Sequence, residues 1–239
     1  MEEPSPDTPA LMARLHELAD PQYASRLQGV FKTEAGRYGH GDRFLGIRVP
    51  VLRRLARLNP AIHIHDAARL LRTPFHEARM LALIILADQF AGGSEAARRA
   101  IYNLYMEHTE HINSWDLVDV SAGKIAGAYL QTRSRAPLYE LAESTIVWER
   151  RIAVIATLPY IKQNDFADTL VLAGQLIHDK EDLIQKAVGW MLREIGKRDT
   201  AAEEAFLKKY CRTMARSMLK YAIEKFPEGK RKQYLKGIV

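Results

Sequence analysis

Glu77-Ala78-Arg79-Met80-Leu81-Ala82-Leu83 is the stretch that decides the fold, and it places an acid and a base directly before an apolar run. The stretch Glu149-Arg150-Arg151-Ile152-Ala153-Val154 has the same order, and Arg151 follows Arg79 by 72 residues. Lys186-Ala187-Val188 comes another 35 residues later, and residues 214–226 resemble these stretches again. A repeated unit of about 35 to 40 residues, each a helical hairpin, is typical of an α-solenoid.

Nearly the whole chain after residue 8 has apolar residues at the helical period, and the alternation typical of strands is missing. The sequence therefore predicts an all-α fold, a curved α-solenoid, as a single domain of all 239 residues. In this domain, residues 1–48 form N-terminal helices and a loop, and residues 49–239 form the helical repeats. The first helices are predicted at Leu11–Ala19 and from Pro21 to about Lys32, followed by a glycine-rich loop at 34–46. Because the self-similarity is weak, an irregular helical domain is the alternative.

Composition excludes several classes of protein. With 47% apolar and 27% charged residues, the chain is typical of ordinary globular proteins. The longest nearly apolar run, Met80–Ala87, is too short to span a bilayer. The acidic residues 1–7 are not followed by an apolar segment, so we expect no secretory signal. The one cysteine, Cys211, excludes an intramolecular disulfide and fits a reducing compartment, so we expect a cytoplasmic protein.

The positive charge is concentrated at the C-terminal end. Residues 180–239 contain 15 Lys and Arg against 8 Asp and Glu, a net charge of +7, whereas residues 1–179 have a net charge of −1. Such asymmetry favours an anionic partner, with nucleic acid first among the candidates. A solvated basic surface is the alternative. Four cations on or directly after one predicted helix are candidates for DNA phosphate contacts: Lys186, Arg193, Lys197 and Arg198.

The most informative side chains for function are Trp115 and Asp119. They are four residues apart, so in a helix they lie on one face, one turn apart. An aromatic face beside a carboxylate can hold a flat cation and stabilise positive charge next to it. A second aromatic side chain, Trp190, lies in another predicted helical stretch. Either tryptophan could instead be part of a core.

Two groups of glycines predict close helix packing. Gly123 and Gly127 are four residues apart and would share one helix face. Gly189 lies inside a predicted helix, where glycine costs about 1 kcal/mol relative to alanine. A neighbouring element that approaches closely at these positions would explain them.

Four segments, in this order and at these spacings, resemble the HEAT-like-repeat DNA alkylation-repair family, the AlkD-type DNA glycosylases. The likeness extends from Phe44 to about Tyr234. The segments are Phe44-Leu45-Gly46-Ile47-Arg48-Val49-Pro50, Ser114-Trp115-Asp116-Leu117-Val118-Asp119, Trp148-Glu149-Arg150-Arg151-Ile152-Ala153 and residues 184–194.

The resemblance implies a curved stack of HEAT-like repeats that holds double-stranded DNA in a basic groove and excises cationic N3- or N7-alkylated purines. It implies that Asp119 is the catalytic carboxylate, that Trp115 and Trp190 contact the lesion nucleotide, and that Arg151 lies near the damaged strand. The expected partner is double-stranded DNA containing alkylated bases, with no membrane, and we expect a monomer associated with the nucleoid.

Two other functions remain open at this point. The chain could be a non-catalytic HEAT-like-repeat protein that binds damaged or branched DNA, or a helical scaffold for a protein partner. No phosphate-binding glycine loop or zinc pattern is visible, and His63 with His65 makes a weak metal pair, so we expect no cofactor and no metal.

Overall fold

The computed structural model describes residues 7–238, so the acidic residues 1–6 and Val239 lie outside the described part. Residues 7–238 are mainly helical and contain no β-strand beyond an isolated bridge between Arg43 and Phe75. The predicted all-α class is therefore confirmed. The chain divides into two compact units, one ending at Ala126 and the other beginning at Gly127. The assignment of a single domain stays a prediction.

The first unit begins with two helices that are separated from the rest by a long loop. The glycine-rich segment predicted at 34–46 is part of this loop, which continues to Arg48. A 3₁₀ turn, Thr109–His111, precedes the last helix of the unit. The helices are α1 (Thr8–Glu17), α2 (Pro21–Phe31), α3 (Val49–Leu58), α4 (Ile64–Leu71), α5 (His76–Gly92), α6 (Glu95–Glu107) and α7 (Trp115–Ser121).

The second unit has shorter helices and one long one. A π-helical turn, Gly123–Gly127, links α7 to this part of the chain, and a 3₁₀ turn, Ile223–Lys225, precedes the last helix. The helices are α8 (Ala128–Leu130), α9 (Ala136–Ala142), α10 (Val147–Ile155), α11 (Leu158–Ile161), α12 (Ala167–Gln175), α13 (Asp182–Gly196), α14 (Thr200–Tyr210), α15 (Arg216–Ala222) and α16 (Glu228–Lys236).

Local sequence explains where many of these helices begin. Asp20 accepts a hydrogen bond from Tyr23 N at 3.0 Å, and Pro21 follows it at the first helical position of α2. Ser94 and Asp199 cap α6 and α14 in the same way. A side-chain oxygen at this position satisfies a backbone N–H that has no partner inside the helix. These caps fix the helix starts independently of tertiary contacts.

Each unit is built around one central helix. In the first unit, α5 packs against α3, α4, α6 and α7, and the apolar run Met80–Ala87 is buried throughout. In the second unit, α13 packs against α10, α12, α14 and α15. Burial on several sides explains why residues 80–87 of α5 are apolar around the whole circumference of the helix.

One arginine in each of the two similar acid-base-apolar stretches has the same structural role. Arg79 on α5 and Arg151 on α10 are both buried, with 4% and 5% of their surface exposed. Arg79 donates to the carbonyl of Thr73 at 2.9 Å, and Arg151 donates to the carbonyl of Leu183 at 2.6 Å. Each arginine therefore ties its own helix to a neighbouring backbone segment.

The expected close packing is found at Gly189 and at Gly127. A Cβ on Gly189 would lie 2.4 Å from the carbonyl oxygen of Met218 on α15, and one on Gly127 would lie 2.1 Å from the carbonyl oxygen of Ala156. Both distances are too short for a side chain. The prediction of a regular helix across Gly123–Gly127 was wrong, because this segment forms a π-helical turn. Such turns are often found at functional sites.

The helices of the described residues, 7–238, include none that is long and apolar enough to cross a membrane.

Candidate active site

A cavity of about 470 Å³ lies in the first unit. It is bounded by α2, by the loop that precedes α3, by the first two turns of α3, and by α5 and α7. Its polar lining groups are Arg48, Arg53, His76, Glu77, Asp116 and Asp119, and its largest apolar ones are Phe31, Phe44, Met80 and Trp115. A mainly apolar cavity with a few converging polar groups is the usual form of a ligand site.

Trp115 opens α7 and is half-buried rather than enclosed. Its ring stacks on that of Phe31, with 5.5 Å between centroids and 7° between planes, and Phe31 in turn contacts Phe44 at 5.0 Å. The indole is thereby fixed by one aromatic neighbour while part of it lines the cavity. This is the arrangement expected of an aromatic contact for a ligand, and it differs from that of a core tryptophan such as Trp148, which is 6% exposed.

Asp119 lies one helical turn after Trp115 and lines the same cavity. Behind it, the buried phenol of Tyr105 shares a hydrogen bond of 3.1 Å with Ser121 Oγ. Burial first, and then the nearby charge of Asp119, raise the pKa of Tyr105. The structure therefore brings together the indole and the carboxylate that the sequence predicted to share a helix face.

The loop that leads into α3 is held at the edge of the cavity by Glu77. The buried Glu77 carboxylate accepts hydrogen bonds from Leu45 N at 2.8 Å, Gly46 N at 2.7 Å and Ile47 N at 3.2 Å. Gly46 has a φ of 83°, and a Cβ there would lie 2.0 Å from the carbonyl oxygen of Asp20. The conformation needs glycine, and the close approach joins the start of α2 to this loop.

A buried histidine lies between two carboxylates at the floor of the cavity. His76 Nδ1 lies 3.1 Å from Asp42 Oδ2, and His76 Nε2 lies 2.9 Å from Asp116 Oδ2. Burial opposes the charged imidazole, but hydrogen bonds to Asp116 and Asp42 outweigh it and raise the pKa of His76 to about 9. At neutral pH the ring is therefore an imidazolium that donates from both nitrogens.

Asp42 is the centre of a buried polar group of side chains, which consists of Asp42, His76, Arg79, Asn113 and Asp116. Its Oδ1 accepts from Arg79 at 2.6 Å and from Asn113 Nδ2 at 3.1 Å. Burial would raise the pKa of Asp42, but the hydrogen bond with His76 and the charges of Arg79 and His76 lower it below its ordinary value. The carboxylate therefore stays ionised in a buried position.

Two exposed arginines lie at the mouth of the cavity. Arg48 lies over the ring of Tyr23, 5.2 Å from guanidinium carbon to ring centroid. Arg53 lies one turn and a half further along and also lines the cavity. Positive side chains at the entrance suit an anionic partner such as nucleic acid.

In the second unit, Trp190 is half-buried on α13, and its Nε1 donates to Glu194 at 3.0 Å. Lys197 pairs with the same carboxylate at 2.6 Å, and Arg193 pairs with Glu224. Trp190, Arg193 and Lys197, which the sequence predicted as site residues, therefore lie on or directly after the second half of α13. Each of them has an acidic partner. Their roles toward DNA stay predictions.

Arg151 and Lys186 also lie on helices of the second unit that contact each other. Arg151 is 5% exposed and binds the carbonyl of Leu183, one turn before Lys186 on α13. Lys186 pairs with Asp182 at 2.6 Å, and Arg198 is exposed just after the helix. In the described structure Arg151 supports α13, which carries Trp190.

Sequence reasoning missed the polar group beneath the cavity. In the structure, Ser114 Oγ donates to Asp116 at 2.7 Å, and Asn113 donates to Asp42. Asp42 and His76 were not predicted as site residues. His76 lies 34 residues after Asp42 and 40 residues before Asp116, and no local motif connects the three.

Comparison with known proteins agrees with this architecture. The family described as "DNA alkylation repair enzyme" matches residues 11–226. Among solved structures, the chain is similar to one titled "Predicted DNA alkylation repair enzyme from Enterococcus faecalis", with a TM-score of 0.67 and 17% identity. The match covers 88% of this chain and 97% of that one, and at this identity it shows the fold. None of the curated proteins matches the chain. The family match extends over most of the sequence, and the chain therefore belongs to the DNA alkylation repair enzyme family.

Proposed function

We propose that this protein is a DNA N-glycosylase that excises cationic N3- or N7-alkylated purines from duplex DNA. The observation that carries the proposal is the pairing of Trp115 and Asp119 on one cavity of the first unit. Membership of a DNA alkylation repair family supplies the class of substrate. The exposed arginines at the cavity mouth support an anionic partner.

The chemistry needs few protein groups. An alkylated N7-guanine or N3-adenine already carries a positive charge, so it departs as a neutral base when the electrons of the N-glycosidic bond move to it. The sugar then develops oxocarbenium character, and water adds at C1′ with loss of a proton. A carboxylate beside C1′ stabilises that positive charge and orients the water.

The proposal gives each side chain a role. Asp119 is the electrostatic catalyst, and Trp115 stabilises the cationic nucleotide through its indole face. Phe31 supports that indole by stacking on it. A hydrolase for a neutral base or a sugar polymer would normally need an additional acid to protonate the leaving group.

For the second unit we propose contacts with DNA by Trp190, with Arg151 supporting α13. Phosphate contacts are assigned to Lys186 and Arg193 on this helix and to Lys197 and Arg198 directly after it. Because Lys186, Arg193 and Lys197 are paired with acids, binding DNA would require each of these three to exchange a carboxylate for a phosphate.

The test is release of N3-methyladenine and N7-methylguanine from methylated duplex DNA by the wild type, Asp119→Asn and Asp88→Asn. Asp88 is exposed on α5, so its variant is a matched control. We expect Asp119→Asn to lower the single-turnover rate by about 10²- to 10³-fold, as for other losses of a group that stabilises transition-state charge. Equal release by the wild type and Asp119→Asn, above background, would remove Asp119 from the mechanism.

A second candidate is a non-catalytic protein that binds damaged or branched DNA. The net charge of +7 in residues 180–239 favours DNA binding whether or not a base is cleaved. Salt-sensitive binding of methylated duplex without base release by the wild type would select this alternative.

A further inference from the structure

The buried polar group beneath the cavity is electrically balanced only when His76 is protonated. Asp42 and Asp116 contribute two negative charges, and Arg79 and the imidazolium contribute two positive ones. Loss of the imidazole proton would leave one uncompensated negative charge in a buried place, which is costly. Glu77, the next residue on α5, is already engaged by three backbone N–H groups of the loop.

The ring of His76 also joins elements that are distant in sequence. It stacks on Phe44 of the loop, with 4.6 Å between centroids and 23° between planes, and lies 5.0 Å from the ring of Phe31 on α2. Through Asp116 it reaches α7. The two aromatic rings that it contacts also contact each other, and Phe31 is the ring on which Trp115 stacks.

Asp116 transmits this contact to the first turn of α7. One of its oxygens accepts from Leu117 N at 3.0 Å and from Ser114 Oγ at 2.7 Å, and the other oxygen binds His76. The carboxylate is therefore fixed both to the turn that carries Trp115 and to α5. Asp119 follows within one helical turn, so its position depends on the same turn.

We propose that His76 is a positioning residue for the glycosylase reaction, holding α7 against the loop as an imidazolium that donates to both Asp42 and Asp116. By this contact it keeps the indole of Trp115 and the carboxylate of Asp119 in the cavity. The inference rests on the proposed function for its reaction, but its geometric part can be measured without activity.

The direction of the pH effect follows from the charge balance. The pKa of His76 is raised from 6.5 to about 9 in the folded protein. The stabilisation that it provides is therefore complete below pH 6.5 and is lost as the pH rises through about 9. The site should loosen at alkaline pH, where a neutral imidazole has one N–H for two carboxylates.

The kinetic test compares the single-turnover rate of N3-methyladenine release at saturating enzyme with the Kd for methylated duplex, over a range from about pH 7 to pH 10. For the wild type we expect the rate to fall with a midpoint near 9, the pKa of His76. His76→Gln keeps an uncharged N–H₂ donor but has no positive charge, and it should lower the rate by about ten- to a hundredfold at neutral pH and remove the alkaline fall. Asp116→Asn removes one of the charges that raise this pKa, so it should move the fall to lower pH. His40→Gln, an exposed position on the same loop, is the matched control and should behave as the wild type.

The structural test follows the imidazole N–H groups and the Trp115 indole N–H by ¹⁵N-edited NMR in the wild type. We expect both ring nitrogens of His76 to carry hydrogen at neutral pH, and the Trp115 signal to shift as His76 titrates. An unchanged Trp115 signal through that titration would overturn the proposal, as would a His76→Gln variant with the alkaline fall of the wild type or with a defect confined to Kd. If the wild type releases no base at all, the proposed function fails, and the NMR titration alone decides the role of His76.

Discussion

The buried carboxyl of Glu203 offers a sharp test of how the second unit is stabilised. Glu203 on α14 is 1% exposed, and its carboxyl fills space left by Gly196, where a Cβ would lie 1.6 Å from Oε2. Within residues 7–238 its Oε1 has no hydrogen-bond partner. Burial first, and then the charge of Glu204, raise the pKa of Glu203 to about 8, against the weaker effects of Lys230 and Arg193.

Replacing Glu203 by Gln should change the dependence of stability on pH. The folded protein binds this proton more tightly than the unfolded chain, so the free energy of unfolding falls as pH rises from 4.5 to about 8 and is then constant with respect to this group. One pH unit corresponds to about 1.4 kcal/mol, so the loss over this interval is on the order of 5 kcal/mol. Glu203→Gln has no such proton and should avoid the loss.

The assay is urea denaturation followed by circular dichroism at about pH 5, 6.5 and 8, with the free energy of unfolding taken from linear extrapolation to zero urea. We expect Glu203→Gln to gain stability relative to the wild type as the pH rises, because groups common to both proteins cancel in the difference. Glu140→Gln, at an exposed position on α9, makes the same chemical change as a control and should leave the profile unchanged. Parallel profiles for the wild type and Glu203→Gln would refute the argument that the buried carboxyl binds its proton more tightly in the folded protein than in the unfolded chain.

Three further predictions concern packing, the loop and DNA binding. Gly189→Ala should lower the free energy of unfolding by about 1 to 3 kcal/mol, because the new methyl would lie 2.4 Å from the carbonyl oxygen of Met218. Gly174→Ala is its control in denaturation experiments and should be neutral or slightly stabilising, since its methyl would meet Tyr210 at an ordinary 3.5 Å. Glu77→Gln should cost about 1.5 to 3 kcal/mol in the same experiment, because an amide N–H₂ would face backbone N–H groups that now donate to a carboxylate; unchanged stability would contradict this. The Kd for duplex DNA, measured by fluorescence anisotropy, should weaken at least tenfold between about 50 and 200 mM salt, and a flat response would argue against phosphate contacts by the basic helices.

Much of the fold could be read from local sequence. Pro21 predicted the start of α2, and the acid-base-apolar stretch Glu77–Leu83 predicted a repeat helix, because a proline at the first helical position and helical periodicity act within a few residues. Gly189 indicated close packing because glycine inside a helix costs about 1 kcal/mol relative to alanine. The π-helical turn Gly123–Gly127 was not predicted, since the sequence there is compatible with a regular helix.

The candidate site could be predicted only in part. Trp115 and Asp119 were found because helical spacing alone places them on one face, and the structure gives them a shared cavity. The stacking of Trp115 on Phe31, 84 residues earlier, has no local signal. The roles of Trp190 and Arg151 came from resemblance and stay predictions.

The sequence by itself determined the helical class, the start of α2, and the turn that presents an indole beside a carboxylate, because these depend on neighbours within about one helical turn. The tertiary structure alone decided what surrounds that turn: the aromatic support from Phe31, the loop held by Glu77, and the protonated His76 between Asp42 and Asp116. The physical reason is that a pKa and a cavity depend on burial and on charges brought together from distant parts of the chain. Neither is a property of a residue or of its neighbours in sequence.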